Sequence, residues 1–272
     1  MKIIAAGKTD KGLVRPDNED NFLIDENLKL FIVADGAGGH SSGEVASKLA
    51  VNITKQQIEK YFKGEDISFG PKTTSFSKMT NALCSSIKFA NQIIYEASKK
   101  YPQNNGMATT CVAAIVGENS FSYCNVGDSR IYLLRDNELK LLTTDHSLVN
   151  EQLKLGLITE EQAEKSEYSN ILTRALGMSD SVEVDVNEMK AKDKDVLILC
   201  TDGLSKMVKY DIIHKTLIEK LAHGNTLSDI CDYFINLVNS FGGKDNVTIV
   251  IVQLFIENKF SLLLKKILNK KN

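Results

Sequence analysis

The chain has 272 residues, enough for one large domain or two small ones, and its 33 basic and 35 acidic residues leave a formal net charge of -2. No basic face is concentrated in its first 250 residues, which argues against a nucleic-acid-binding surface. Apolar runs continue from Lys2 to Leu254 without a Gly/Ser-rich linker. We therefore expect one domain over residues 1–254 and a short tail over residues 255–272.

The cysteines are widely spaced, form no CxxC pair and lie largely in apolar runs. They are Cys84, Cys111, Cys124, Cys200 and Cys231. This pattern favours buried, reduced thiols over a disulfide framework or a zinc site, and it indicates a reducing compartment. The first residues lack the apolar core of a signal peptide, and no run is long enough to span a bilayer, so we expect a cytoplasmic protein.

The first hundred residues predict three strands and two helices. Residues 2–6 form a strand, residues 7–18 form a polar loop that carries Arg15, and residues 21–25 pair with residues 30–34 as a hairpin. A serine-to-glutamate capping box at 41–44 begins a helix that runs towards Phe62. After an unpatterned segment at 64–74, an apolar stripe from Phe76 to Ile94 predicts a second long helix.

The second half changes to the periodicity of strands. We predict an antiparallel meander over 110–116, 121–126, 131–134 and 139–142. Asp145 is then expected to cap a helix that ends at Gly156, and Thr159 with Gln162 to begin a short one. Residues 166–177 are either a mobile segment beside a site or a plain connecting loop.

The last quarter predicts a strand over 196–201, helices near 211–218 and from Leu227, and a final strand over 247–254. Strands thus occur in two groups, each followed by a pair of helices. This order favours an α+β sandwich over a parallel sheet with alternating helices.

Carboxylates recur at the ends of the predicted strands. Asp35 follows a buried strand and precedes a glycine-rich turn, Asp202-Gly203 repeats that pattern, and Asp245 lies at the entrance to the last strand. Any one of these could be an ordinary loop aspartate that caps a helix. Their recurrence, with Asp128 and the Glu19-Asp20 pair, indicates an oxygen-rich site for Mg²⁺ or Mn²⁺ rather than zinc.

Seven motifs follow one another in an informative order. They are Arg15-x-x-Asn18-Glu19-Asp20, Val33-Ala34-Asp35-Gly36-x-Gly38-Gly39-His40, Gly106-Met107-Ala108-Thr109-Thr110, Val126-Gly127-Asp128-Ser129-Arg130, Leu172-Thr173-Arg174-Ala175-Leu176-Gly177, Thr201-Asp202-Gly203-Leu204 and Asp245-Asn246-Val247-Thr248. Together they resemble the metal-dependent serine/threonine phosphatases of the 2C type, most closely the bacterial branch. The resemblance implies two antiparallel sheets packed face to face with helices outside, and a two-metal centre between the sheet edges.

The resemblance also implies roles for individual residues. Asp35 would bridge two Mn²⁺ or Mg²⁺ ions, the carbonyl of Gly36 would bind one of them, and Asp202 and Asp245 would complete the other. The remaining roles concern water, a third metal and phosphate. Glu19 and Asp20 would hold metal-bound waters, Asp128 would help bind a loosely held third metal, and Arg15 would grip the substrate phosphate.

Two departures from the family pattern stand out. Animal members carry a histidine directly after the Asp-Gly pair, where this chain has Ala37, so the proton for the leaving group must come from a metal-bound water or from His40. We favour a structural role for His40. Lys206 stands four residues after Asp202, where many members have another acid, and this weakens the case for the third metal.

The function implied is a phosphoserine/phosphothreonine protein phosphatase that acts as a monomer on phosphorylated proteins and opposes a bacterial-type serine/threonine kinase. The alternatives are a catalytically weak relative that docks partners, and a hydrolase of other phosphoric esters. A docking relative does not explain the presence of Asp35, Asp202 and Asp245 as directly, and an acidic composition without a basic patch argues against nucleic acid as the substrate of such a hydrolase.

The tail beyond the family match has apolar and basic residues at helical spacing. Its apolar positions are Phe260, Leu263, Leu264, Ile267 and Leu268, and lysines lie between them. Such a helix would either pack on the domain or a partner, which we favour, or lie on an anionic membrane surface. It is too short to span a bilayer.

Overall fold

The computed structural model describes residues 1–38, 42–71 and 73–256. The predicted capping residue Ser41, His40 and the tail from residue 257 onwards lie outside the described residues. The strands are β1 (Lys2–Asp10), β2 (Asp20–Asp25), β3 (Leu30–Ala37), β4 (Ala108–Thr109), β5 (Cys111–Val116), β6 (Ser120–Val126), β7 (Arg130–Arg135), β8 (Glu138–Leu141), β9 (Asp185–Lys190), β10 (Val196–Cys200) and β11 (Val247–Phe255). The helices are α1 (Ser42–Phe62), α2 (Lys78–Lys100), α3 (Leu148–Lys154), α4 (Glu160–Glu164), α5 (Asp202–Ser205), α6 (Tyr210–Ala222) and α7 (Leu227–Ser240).

The strands form two antiparallel sheets. The first sheet has the order β1-β11-β10-β7-β8, and the second has the order β2-β3-β5-β6-β9, with β4 paired to β3. In the first sheet, Lys2 lies opposite Phe255 and Asp10 opposite Val247, so the earliest strand pairs along its whole length with the latest one.

The two sheets pack face to face because their central strands are apolar on both sides. In β3, Phe31 and Val33 lie in the core between the sheets, whereas Leu30 and Ile32 pack beneath α1 and α2. The first sheet repeats this alternation, with residues such as Ile198 facing α6 and α7. The result is a four-layer α-β-β-α sandwich, which confirms the predicted fold class.

Two strands at the edges of the sheets differ from the prediction. β1 continues to Asp10, so residues 7–10 are strand and not loop, and β9 was not predicted at all. Both strands are edge strands with partly exposed, polar side chains, which lack the apolar signature of a buried strand.

The predicted continuous meander is wrong at its centre. β5 pairs with β6 and β7 with β8, but β6 and β7 belong to different sheets. The chain crosses between the sheets at Gly127, whose φ of +108° is accessible to glycine and where a Cβ would lie 2.6 Å from the side chain of Thr110. A meander and two separate hairpins have the same order of apolar strands and turns in the sequence. Only the pairing of the strands distinguishes the two topologies.

The cap predicted for α3 is also wrong. Ser147 is the N-cap, its hydroxyl accepting the N–H of Asn150, whereas the carboxylate of Asp145 binds the guanidinium of Arg130. The capping box predicted at Thr159 and Gln162 is confirmed.

The cysteine prediction is confirmed. All five thiols are unpaired, and four of them are buried, Cys84 being half-buried. No helix in the described part of the chain is long and apolar enough to cross a membrane.

Candidate functional site

The predicted site residues meet where the ends of the two sheets come together. β2 and β3 place Asp20 directly opposite Asp35, while the first sheet contributes Asp202 after β10 and Asp245 before β11. Asp128 joins them from the crossover between the sheets. These elements surround a cavity of about 230 Å³, whose walls include Arg15, Glu19, Asp35, Gly36, Asp128, Asp202 and Asp245.

Two glycines let the backbone turns that carry the acids approach each other closely. A Cβ on Gly36 would lie 2.1 Å from the carbonyl oxygen of Gly43, at the beginning of α1. A Cβ on Gly203 would lie 2.0 Å from the carbonyl oxygen of Asn246. Because neither distance is possible for a real Cβ, the Asp-Gly pairs of the sequence are required by packing as well as by chemistry.

Asp20 lies behind the cavity wall and is only 5% exposed. Its Oδ2 accepts hydrogen bonds from the hydroxyls of Thr201 at 2.9 Å and Thr248 at 2.7 Å, but its Oδ1 is buried without a partner. Burial, together with the charges of Asp202 and Asp245, raises the pKa of Asp20 to about 7. A buried carboxyl oxygen that lacks a donor suits a water or an ion on its open side.

Asp35 and Asp128 are crowded by other acids. Burial, followed by the charges of Asp20, Asp202 and Asp128, raises the pKa of Asp35 well above its ordinary value. Burial, followed by the charge of Asp202, raises the pKa of Asp128 to about 6, although Lys206 opposes this rise. Uncompensated acids of this kind attract cations.

The backbone of Asp35 is fixed by the hydroxyls of two threonines, Thr109 and Thr110. Its N–H donates to Thr110 Oγ1 at 3.0 Å, and its carbonyl accepts from Thr109 Oγ1 at 2.9 Å. Thr110 Oγ1 also lies 2.7 Å from Ser129 Oγ, beside Asp128. These hydroxyls therefore position the turn that carries Asp35.

Arg15 reaches the cavity from the loop after β1, and its guanidinium donates to Asp245 Oδ2 at 2.8 Å. In this arrangement the guanidinium of Arg15 binds an expected metal ligand and does not project freely into the cavity. Glu19 lies beside it, its carboxylate against the N–H of Gly43, and burial raises the pKa of Glu19. The structure thus places both residues beside the acids, and their roles stay predictions.

Lys206 also turns into the cavity. Its Nζ contacts Asp202 Oδ2, lies 3.4 Å from Asp128 Oδ2 and donates to Asn170 Oδ1 at 2.8 Å. Burial alone would lower the pKa of Lys206, but the charges of Asp202 and Asp128 outweigh burial and raise it.

The donor chemistry fits a hard divalent cation, although the side chains are not arranged around one. Within the described residues, no three acidic, histidine or cysteine side chains form a group ready to hold a metal ion. Instead, Arg15 and Lys206 engage Asp245 and Asp202. The oxygen-only donor set, the crowded charges and the partnerless oxygen of Asp20 suit Mg²⁺ or Mn²⁺ once Asp245 turns from Arg15, since Lys206 contacts Asp202 through Oδ2.

Several supporting residues were missed by sequence reasoning. Asn246 accepts the N–H of Glu19 at 2.9 Å and donates to two backbone carbonyls of the loop that carries Arg15. Thr201 and Thr248 bind Asp20, and Asn170 binds Lys206. The first three flank predicted acids in the motifs, which was the available signal.

His146 has a structural role. It is 5% exposed, its Nδ1 accepts the N–H of Gly127 at 3.1 Å, and its Nε2 lies 3.2 Å from Asp185 Oδ2. Among the residues that the structure describes, the walls of the cavity contain no histidine.

The chain is similar in sequence to known phosphatases. The family model described as protein phosphatase 2C matches residues 7–242. The serine/threonine phosphatase stp of Listeria monocytogenes serotype 4b is 39% identical over 258 residues, which cover 93% of this chain and 96% of the relative.

Solved structures are similar over nearly the same length. The serine/threonine phosphatase PstP/Ppp of Mycobacterium tuberculosis has a TM-score of 0.80 at 30% identity, with 93% of this chain and 99% of that chain covered. The catalytic domain of PstP in complex with two manganese ions has a TM-score of 0.78 at 30% identity and the same coverage. The similarity therefore extends over nearly all of the described chain.

Proposed function

The chain belongs to the protein phosphatase 2C family, and on this premise we propose that it hydrolyses phosphoserine and phosphothreonine in proteins at a centre of two Mn²⁺ or Mg²⁺ ions. As a member of that family it is a metal-dependent serine/threonine phosphatase. The observation that carries the finer proposal is the meeting of Asp35, Asp202 and Asp245, from both sheets, around one cavity.

We assign the metal ligands as follows. Asp35, which is exposed to the charges of Asp20, Asp202 and Asp128, would bridge the ions, with the carbonyl of Gly36 as a further ligand. Asp202 and Asp245 would complete the pair from the first sheet. Two ions bound there would lower the pKa of a water molecule and neutralise the phosphoryl oxygens.

The remaining roles belong to residues around those ligands. Glu19 and Asp20 would orient water, since the Oδ1 atom of Asp20 is buried without a hydrogen-bond partner. Arg15 would exchange Asp245 for the substrate phosphate, because a planar guanidinium binds either group through two N–H donors. The proton for the leaving group would come from water in the cavity, because Ala37 has no proton to give and the described cavity walls contain no histidine, with His40 as the alternative donor.

The surroundings of the reaction are proposed on the same premise. The substrates would be proteins phosphorylated by a serine/threonine kinase of the same cell, and the enzyme would oppose that kinase in the cytoplasm as a monomer. Residues 1–254 would form the catalytic domain, because the last strand of the sandwich ends at Phe255. Peripheral membrane contact through the tail remains a weaker proposal than packing of that tail on protein.

The test is phosphate release from a phosphothreonine peptide with Mn²⁺, with Mg²⁺ and with chelator. We expect release with either metal, none with chelator, and none from Asp35→Asn under any condition. Undiminished release in chelator would refute the metal centre. Peptide binding without metal-dependent release would support the docking alternative.

A further inference from the structure

Lys206 is held in the cavity by oxygen atoms from three separate parts of the chain. Asp202 lies at the beginning of α5, Asp128 lies on the crossover between the sheets, and Asn170 lies on the segment between α4 and β9. Their side-chain oxygens surround Nζ, at 3.4 Å for Asp128 and 2.8 Å for Asn170, with a direct contact to Asp202. An ammonium group has three donors and no acceptor, so this set of oxygens matches it.

The position of Lys206 follows from the local helix. Lys206 is the C-cap of α5, and its N–H bonds the carbonyl of Asp202 at 2.8 Å. Residues four apart lie on one face of a helix, so the side chains of Asp202 and Lys206 necessarily face the same cavity. About a third of the Lys206 side chain is exposed, which leaves its charged end among the acids and its stem at the rim.

Lys206 compensates the negative charge of Asp128. Among the described residues, its ion-pair partner is Lys206, and its side chain is almost fully buried. A divalent cation bound between Asp128 and Asp202 would need the same oxygens and would lie against the ammonium group. The two cations would repel each other at contact distance, so one excludes the other.

We infer that Lys206 occupies the position of a third metal, so that Asp128 binds an ammonium group instead of a divalent cation and the centre holds two metals. The inference rests on the dinuclear centre proposed above. It gives Asp128 a positioning role, since Asp128 and Asn170 together hold Lys206 against Asp202. Asp202 keeps its other side for Asp35, whose carboxyl lies within hydrogen-bonding reach of it.

The experiment is a count of bound Mn²⁺ by equilibrium dialysis and elemental analysis over one range of free Mn²⁺. We expect Lys206→Asp to bind one more Mn²⁺ per chain than the wild type. Lys209→Asp is the matched control, because it makes the same change of charge three residues later on an exposed side chain outside the cavity. It should leave the count unchanged.

A second variant tests the inference without altering the lysine. Asp128→Asn in the wild-type background should lose no Mn²⁺, whereas in the Lys206→Asp background it should remove the added ion. Loss of one Mn²⁺ from the single variant would overturn the inference, as would an equal count in Lys206→Asp and the wild type.

The two proposals fail separately in this experiment. A wild-type count below two would refute the dinuclear centre. The difference of one ion between Lys206→Asp and the wild type is the quantity that tests Lys206.

Discussion

The buried carboxyl of Asp20 makes a prediction about stability that needs no substrate. Asp20→Asn keeps the shape of the side chain, and the amide oxygen can still accept the hydroxyls of Thr201 and Thr248. The amide nitrogen then takes the place of the partnerless Oδ1. The substitution therefore removes a charge while it preserves the observed hydrogen bonds.

The magnitude follows from the pKa of Asp20, which burial raises from 3.8 to about 7. A carboxyl group whose pKa is raised by folding keeps its proton in the folded state while the unfolded state ionises. The free energy of unfolding thus falls as the pH rises from 3.8 towards about 7, and this decrease is complete above about 7. Each unit of pKa is worth about 1.4 kcal/mol, so the loss is about 1.5 kcal/mol at about pH 5 and about 4 kcal/mol at about pH 8.

The assay is urea unfolding of metal-depleted protein, followed by far-ultraviolet circular dichroism at about pH 5 and about pH 8. Asp20→Asn should be more stable than the wild type, and its advantage should grow by about 2 to 3 kcal/mol between the two pH values. Asp17→Asn, three residues earlier on an exposed side chain, should show no such growth. An advantage that is equal at both pH values, or smaller at the higher one, would refute the assignment of a buried, proton-binding carboxyl.

Three further predictions concern activity. Asp202→Asn and Asp245→Asn should each lower Mn²⁺-dependent turnover of a phosphothreonine peptide by at least about a hundredfold, since each leaves an ion short of charge. Asp211→Asn, on an exposed side chain, is the control and should not lower turnover. Near-normal turnover in either of the first two variants would contradict the ligand assignment. Arg15→Ala should raise KM by about tenfold, because it removes the proposed contact with the substrate phosphate. It should not weaken Mn²⁺ binding in calorimetry, because Arg15 competes with the metal for Asp245. Weaker Mn²⁺ binding would mean that Arg15 organises the acids instead. Deleting residues 257–272 should leave turnover intact. If the full chain sediments with anionic vesicles, loses this binding in high salt and loses it on deletion of the tail, the membrane interpretation of the tail is favoured over packing on protein.

The interior strands of the fold were predictable, whereas two of its edge strands were predicted only in part or not at all. Strands such as β10 and β11 are buried on both faces, so their uninterrupted apolar residues identify them in the sequence. β9 and the second half of β1 lie at sheet edges, where alternation with polar residues is weak and pairing decides the structure. Pairing is a long-range property, which is also why the meander was predicted where two hairpins in separate sheets exist.

The candidate site was predictable as a set of residues but not as an arrangement. Acids that follow or precede apolar strands were correctly expected to converge, because strand ends meet at a sheet edge. The pairing of Arg15 with Asp245 and of Lys206 with Asp128 could not be predicted, since it depends on which side chains share a cavity across more than seventy residues of chain. Thr201 and Thr248 were hidden for the same reason, because both look like ordinary strand-end threonines until Asp20 is placed between them.

The pairing of β1 with β11 has a consequence for synthesis of the protein on the ribosome. All strands of the second sheet are complete by Lys190, so that half of the sandwich can assemble while translation continues. β1 precedes all the other strands in the chain, yet its partner is not available until Val247 and the residues after it have left the exit tunnel. Because Asp245 arrives with that strand, a nascent chain has the acids of the second sheet long before it has the last of the proposed ligands, and the acidic cluster is completed only when β11 emerges.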